Sequence, residues 1–157
     1  MNAGEDVIYL DTSVVVALLT PEEASDHALL WFANSHDVLI SSDWLITETH
    51  SALGLKRRLA GLPEPDWRTA LQQFDRLLRD GLELHGLDRA RFRDAAELLQ
   101  DPSLGLRAGD ALHLAVALHS RCTKLATLDR RLQNAGVTLG LKPALVIADQ
   151  NRNDTVP

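Results

Sequence analysis

Val7-Ile8-Tyr9-Leu10-Asp11 is the stretch on which the fold turns. Four apolar residues, β-branched and aromatic among them, run without a polar break and stop at an acid. That pattern predicts a short strand buried on both faces. Comparable runs recur at Val38 to Ile40, at Leu82 and Leu84, at Lys124 to Thr127 and at Pro143 to Ile147. Helical segments are predicted between them. One begins at Thr20-Pro21-Glu22-Glu23, where Thr20 suits a cap and Pro21 the first helical position, and runs to about Asn34. A second, capped by Ser41 or Ser42, reaches about Ala60, and a third restarts at Pro65 and ends near Arg79. Asp88 caps a fourth from Arg89 to about Gln100, a nearly all-apolar helix covers Ala108 to His119, and a short one begins near Asp129. Short apolar strands alternating with helices predict an α/β fold, three layers deep, around a mainly parallel sheet of four or five strands.

A length of 157 residues fits one domain, taken as 1–149 with a polar tail at 150–157. The single cysteine, Cys122, excludes an internal disulfide and reads as a small buried hydrophobe in a reducing compartment. Val14 to Leu19 is far shorter than a bilayer span, and MNAGED carries no basic residue of a secretory signal. These features point to a cytoplasmic protein without a membrane partner.

The formal net charge of -6 speaks against nucleic acid until the charges are placed. Residues 1–55 hold nine acids and no Lys or Arg, whereas the other 102 residues hold 16 basic and 13 acidic side chains. Such asymmetry hints at a polyanion or metal partner, although solvated faces also produce it.

In open parallel sheets, function gathers outside the carboxyl ends of the strands. Asp11 directly follows the first strand, and Asp129 follows Thr127 at the end of the fourth. Glu48 lies two turns into the helix after the second strand, among Leu45, Ile46 and Leu53, and Asp110 opens the apolar helix. Each has a structural alternative: Asp11 as a turn former, Asp110 and Asp129 as helix caps. A carboxylate among apolar neighbours, such as Glu48, is rare unless paired or metal-bound.

Ile8-Tyr9-Leu10-Asp11-Thr12-Ser13, Ile46-Thr47-Glu48, Leu106 to Ala115 around Gly109-Asp110, and Ala126-Thr127-Leu128-Asp129 together resemble the PIN-domain family, closest in flavour to VapC-like ribonuclease toxins. The resemblance spans about residues 7–147. It implies a metal-dependent endoribonuclease with Asp11, Glu48, Asp110 and Asp129 as catalytic and metal-binding acids, and Ser13 and Thr127 as supporting hydroxyls. It further implies the toxin role of a type II toxin–antitoxin pair, with RNA as substrate, a VapB-like antitoxin as partner, and a homodimer. The alternative is a PIN-domain RNA-processing nuclease or a partner-binding module. An aspartate-based phosphatase using Asp11 is disfavoured, because position 13 is Ser rather than a second acid.

Oxygen ligands without a nearby Cys or His pair suit Mg²⁺ or Mn²⁺ over Zn²⁺, and clustered carboxylates need a cation to stay ionised together. Arg107 and Arg130, beside Asp110 and Asp129, are the candidate phosphate contacts; Lys56, Arg57, Arg58 and Arg131 are weaker ones. His113 shares a helical face with Asp110 but reads as a packed, hydrogen-bonded core residue, and His50 points away from Glu48. No glycine-rich phosphate loop occurs, and among the sparse aromatics only Trp44 and Trp67 offer stacking surfaces.

Overall fold

Val7–Leu10 forms β1, the central strand of a five-stranded sheet. In this computed structural model, which describes residues 6–147, the other strands are β2 (Val38–Ser42), β3 (Glu83–His85), β4 (Lys124–Ala126) and β5 (Lys142–Pro143). Their order is β3-β2-β1-β4-β5, and every pairing is parallel, with Tyr9 opposite both Ile40 and Leu125. Ile8 and Leu10 pack against Val14, Leu45 and Phe74 on one face. Tyr9 packs with Leu114, Leu125 and Leu132 on the other. Burial on both sides is why this strand is apolar throughout instead of alternating.

Among the described residues, seven helices cover the sheet: α1 (Thr12–Leu19), α2 (Ser25–Asn34), α3 (Trp44–Leu59), α4 (Glu64–Asp80), α5 (Arg89–Leu98), α6 (Ala108–His119) and α7 (Arg130–Thr138). A 3-10 turn at Pro102–Leu104 joins α5 to α6. The architecture is the expected three-layer α/β fold.

Three local expectations are corrected. The helix expected to run from Thr20 to about Asn34 begins only at Ser25, and a helix that was not expected precedes it. The first starts at Thr12, and Thr20 closes it, its hydroxyl donating to Val16 O at 2.9 Å; the second starts at Ser25. Ser41 and Ser42 do not cap α3, because both are fully buried strand residues; Ser41 Oγ donates to Leu10 O at 2.8 Å. Asp43 stands before α3 without a side-chain capping bond. The last strand is only Lys142–Pro143 and not Pro143 to Ile147; the bonds that join it to β4 are Lys142 N to Thr123 O at 3.0 Å and Ala144 N to Leu125 O at 2.9 Å. The tail expected from residue 150 lies outside the described residues.

Helix α4 belongs to the same core: Phe74 is fully buried against the β1 face, a burial that contributes about 1.5–3 kcal/mol. No helix among the described residues is long and apolar enough to cross a membrane.

Candidate functional site

The chain leaves β1 to build β2 and β3 on one side, then returns to add β4 and β5 on the other. The carboxyl ends of β1 and β4 therefore flank the switch point, where a crevice opens in such sheets. Asp11 enters it directly from β1 and is fastened to β4 by its own amide, which donates to Ala126 O at 3.0 Å. Its carboxylate caps α1. Oδ2 accepts from Ser13 N (3.2 Å), Ser13 Oγ (2.5 Å) and Thr127 Oγ1 (2.9 Å). Those hydroxyls are themselves pinned: Ser13 Oγ accepts from Leu128 N at 2.9 Å and Thr127 Oγ1 from Asp129 N at 3.0 Å. Ser13 and Thr127 thus lock the ends of β1 and β4 together around Asp11.

Glu48 reaches the same place from α3. Its Oε2 accepts from Thr12 Oγ1 at 2.5 Å and lies 2.7 Å from His113 Nε2. His113, on α6, has no exposed surface, as expected for a core histidine, and its Nε2 is also 3.5 Å from Asp11 Oδ1. Its Nδ1 meets the Tyr9 hydroxyl at 2.8 Å, and Tyr9 donates to Ser42 Oγ at 3.0 Å. Burial opposes a charge on His113, but Tyr9, Glu48 and Asp11 outweigh it and push its pKa up to about 10. Burial likewise works to raise Glu48, yet the His113 hydrogen bond and charge, with Thr12 and Trp44, hold its carboxyl below the usual range. The Trp44 indole N–H meets no acceptor in hydrogen-bonding geometry, so it acts on Glu48 as a nearby dipole.

Asp110 occupies the first turn of α6, where its Oδ2 accepts from Arg107 N at 3.2 Å. Its carboxyl is raised above the ordinary value, first by burial and then by the charges of Asp129, Asp11 and Glu48; the Arg107 amide opposes this. One acid thus senses the other three. Asp129, exposed at the end of β4, caps α7 by accepting from Arg131 N (2.8 Å) and Leu132 N (3.2 Å). The capping alternatives for Asp11, Asp110 and Asp129 are real, and they coexist with the electrostatic contact of Asp110 with the other three acids.

The donor set fits a hard divalent cation. Ligand atoms of Asp11, Glu48 and His113 lie within 4.8 Å of one another, with Asp110 in electrostatic contact. His113 is the exception among these, because hydrogen-bonding partners already meet both of its ring nitrogens.

Several groups were not legible beforehand. Thr12 holds Glu48, Tyr9 and Ser42 back His113, and Gly109 makes room for the site: a Cβ there would lie 2.9 Å from Glu48 Oε1. The sequence signal for them is only that Tyr9, Thr12 and Gly109 neighbour Asp11 and Asp110 in the motif stretches. Arg107 and Arg130 are exposed beside Asp110 and Asp129. Lys56 is engaged by Glu22 at 2.5 Å, and Arg57 donates to Leu62 O at 3.1 Å. His50 bonds Ile46 O on its own helix and packs edge-on against Phe74, away from the acids. Cys122 is buried, and burial pushes its thiol up to about 12, which suits an inert hydrophobe.

A family model described as the PIN domain matches residues 8–137. No curated protein sequence matches the chain. Among solved structures, the fold is similar to Mycobacterium tuberculosis VapC20, described as a sarcin-ricin loop cleaving toxin, with a TM-score of 0.68 and 21% identity over 82% of this chain and 95% of that one. PAE2754 from Pyrobaculum aerophilum matches with a TM-score of 0.60 and 22% identity, over 91% and 88% of the two chains. VapBC2 from Rickettsia felis, solved bound to a DNA fragment from its promoter, matches at 0.58 and 14% identity, over 87% and 96%.

Proposed function

The chain belongs to the PIN-domain family, and we propose that it is a Mg²⁺- or Mn²⁺-dependent endoribonuclease serving as the toxin of a type II toxin–antitoxin pair. One observation carries the reading: the Asp110 carboxyl feels Asp129, Asp11 and Glu48 at once, at the edge of the sheet where β1 and β4 end. Asp11, Glu48 and Asp110 would hold the cation, with Asp129 beside them. A divalent ion so held supplies charge toward a phosphodiester and acidity toward water.

The chain's own residues do the rest. Ser13 and Thr127 fix Asp11 Oδ2 and leave Oδ1 outside those bonds. The raised pKa of Asp110 makes it the acid of the group that holds its proton most readily. Arg107 and Arg130, exposed beside Asp110 and Asp129, are the cations assigned to the RNA phosphates.

The toxin reading draws on the likeness to VapC20, described as a sarcin-ricin loop cleaving toxin. It is also supported by exposed apolar side chains on α2 and α3, with Leu30 at 66% and Leu59 at 78% exposure. These suit a VapB-like antitoxin or a second copy of the chain, since apolar patches on a soluble protein commonly mark interfaces. The nuclease unit is taken as residues 1–149, in the cytoplasm.

The test is cleavage of structured RNA with Mg²⁺ or Mn²⁺ by the wild-type chain and by Asp11→Asn. Wild-type cleavage that the variant loses is the expected result; an equally active variant would overturn the role given to Asp11.

A further inference from the structure

Glu48 is the one acid of the four that caps no helix, and it hangs from mid-helix on a flexible side chain. Left alone, such a carboxylate would sample several rotamers. Here Oε2 is bound by Thr12 and by His113, while Oε1 lies over Gly109, the residue next to Asp110. His113 is in turn immobilised. Its Nδ1 rests on the Tyr9 hydroxyl, whose own proton goes to Ser42 Oγ, and Tyr9 and His113 rings meet edge to face at 5.6 Å.

The Tyr9 hydroxyl occupies Nδ1 and the Glu48 carboxylate occupies Nε2, so both ring nitrogens are already engaged by hydrogen-bonding partners and neither is turned to a cation. We infer that His113 is a positioning residue and not a metal ligand: backed by Tyr9 and Ser42, it grips Glu48 Oε2 and so presents Oε1 to the pocket beside Asp110. This inference rests on the metal-dependent reading above. It assigns a function to three residues, Tyr9, Ser42 and His113, that lie behind the acids and touch neither substrate nor ion.

The experiment is Mn²⁺ binding, followed by electron paramagnetic resonance, for the wild type, His113→Leu, His113→Gln, Tyr9→Phe, Glu48→Gln and the double variant Glu48→Gln/His113→Leu. Partners that orient a ligand typically alter metal affinity by about 10–100-fold when removed, and His113→Leu should raise the Mn²⁺ Kd by that much. His113→Gln, which keeps a donor, should recover part of the loss. Tyr9→Phe, which keeps the ring and its packing, should weaken binding by less than His113→Leu; it carries the test if His113→Leu does not fold. In the Glu48→Gln background, His113→Leu should add little, because both changes act through one carboxylate.

Wild-type affinity in both His113→Leu and Tyr9→Phe would overturn the inference while leaving the nuclease reading intact. So would a His113→Leu effect undiminished in the Glu48→Gln background. A wild-type chain that binds no Mn²⁺ would overturn both readings.

Discussion

Replacing Gly109 by Ala perturbs the site without deleting any polar group. Gly109 is the second residue of α6, and a Cβ there would lie 2.9 Å from Glu48 Oε1 and 3.0 Å from Trp44 Nε1. Ordinary contact starts near 3.4 Å, so the carboxylate has to retreat. A free glutamate would swing aside at almost no cost. This one is held on its other oxygen by Thr12 at 2.5 Å and His113 at 2.7 Å, so moving it loosens both bonds. A hydrogen bond to a charged group contributes about 1.5–3 kcal/mol, whereas Gly to Ala within a helix returns about 1 kcal/mol. The balance is a loss of about 0.5–2 kcal/mol where the same substitution in an unconstrained helix would stabilise. For a domain of this length, each kcal/mol moves Tm by about 2–4 °C, so calorimetry of the metal-free protein should show a fall. Mn²⁺ affinity should drop in the same variant, since Oε1 is displaced from the pocket. A higher Tm with unchanged Mn²⁺ affinity would refute the claim that Glu48 is clamped.

Asp110→Asn should leave the metal-free protein as stable or slightly more stable at pH 7, as read by Tm. The Asp110 carboxyl is raised in the fold by burial and by three like charges, so its ionisation penalises the native state above the folded pKa. That penalty fades as pH falls toward 3.8, and the variant's advantage should shrink with it; a drop of several degrees at pH 7 would instead make capping of α6 its dominant role. For His113 the sign is opposite. Its folded pKa, about 10, lies above the unfolded 6.5 despite the opposing effect of burial, so its stabilisation is complete below about pH 6.5 and lost as pH rises to about 10. Urea unfolding at pH 6 and pH 10 should show the stability gap between the wild type and His113→Gln closing with rising pH, and a widening gap would contradict it.

Strands and most helices are legible in the sequence because their signals are local: VIYL for β1, Asp88 capping α5, the apolar run of α6. Helix α1 is not. Its Val14, Val15 and Val16 are β-branched and disfavour helix locally, but their burial against the sheet outweighs that preference. Asp11 and Asp129 are legible for a topological reason, since strand ends in a parallel sheet share one edge, whereas Glu48 and Asp110 sit on helices and are marked by the residues around them. What supports them is not, because it consists of contacts between residues far apart in the chain. Thr12 meets Glu48 across 36 positions, and Tyr9 meets His113 across 104. Neither a threonine beside a strand end nor a tyrosine within one announces its partner.

Capping and site-building are one arrangement in this fold. Asp11, Asp110 and Asp129 each stand at a helix N-terminus and each give an oxygen to backbone amides there, those of Ser13, Arg107, and Arg131 with Leu132. A helix N-terminus carries roughly half a positive charge, so α1, α6 and α7 bring their positive ends to the pocket along with the acids. The imidazolium of His113, held between Glu48 and Asp11, adds one more positive charge. Against four carboxylates, these contributions leave a deficit of roughly one to two charges. The upward shift of Asp110 is where that deficit surfaces, because proton uptake there is the chain's own means of relieving it. A divalent cation would supply the missing charge and bring the Asp110 pKa back down toward its ordinary range. Mn²⁺ binding should therefore release a proton at a pH near the folded pKa of Asp110, and Asp110→Asn should abolish that release.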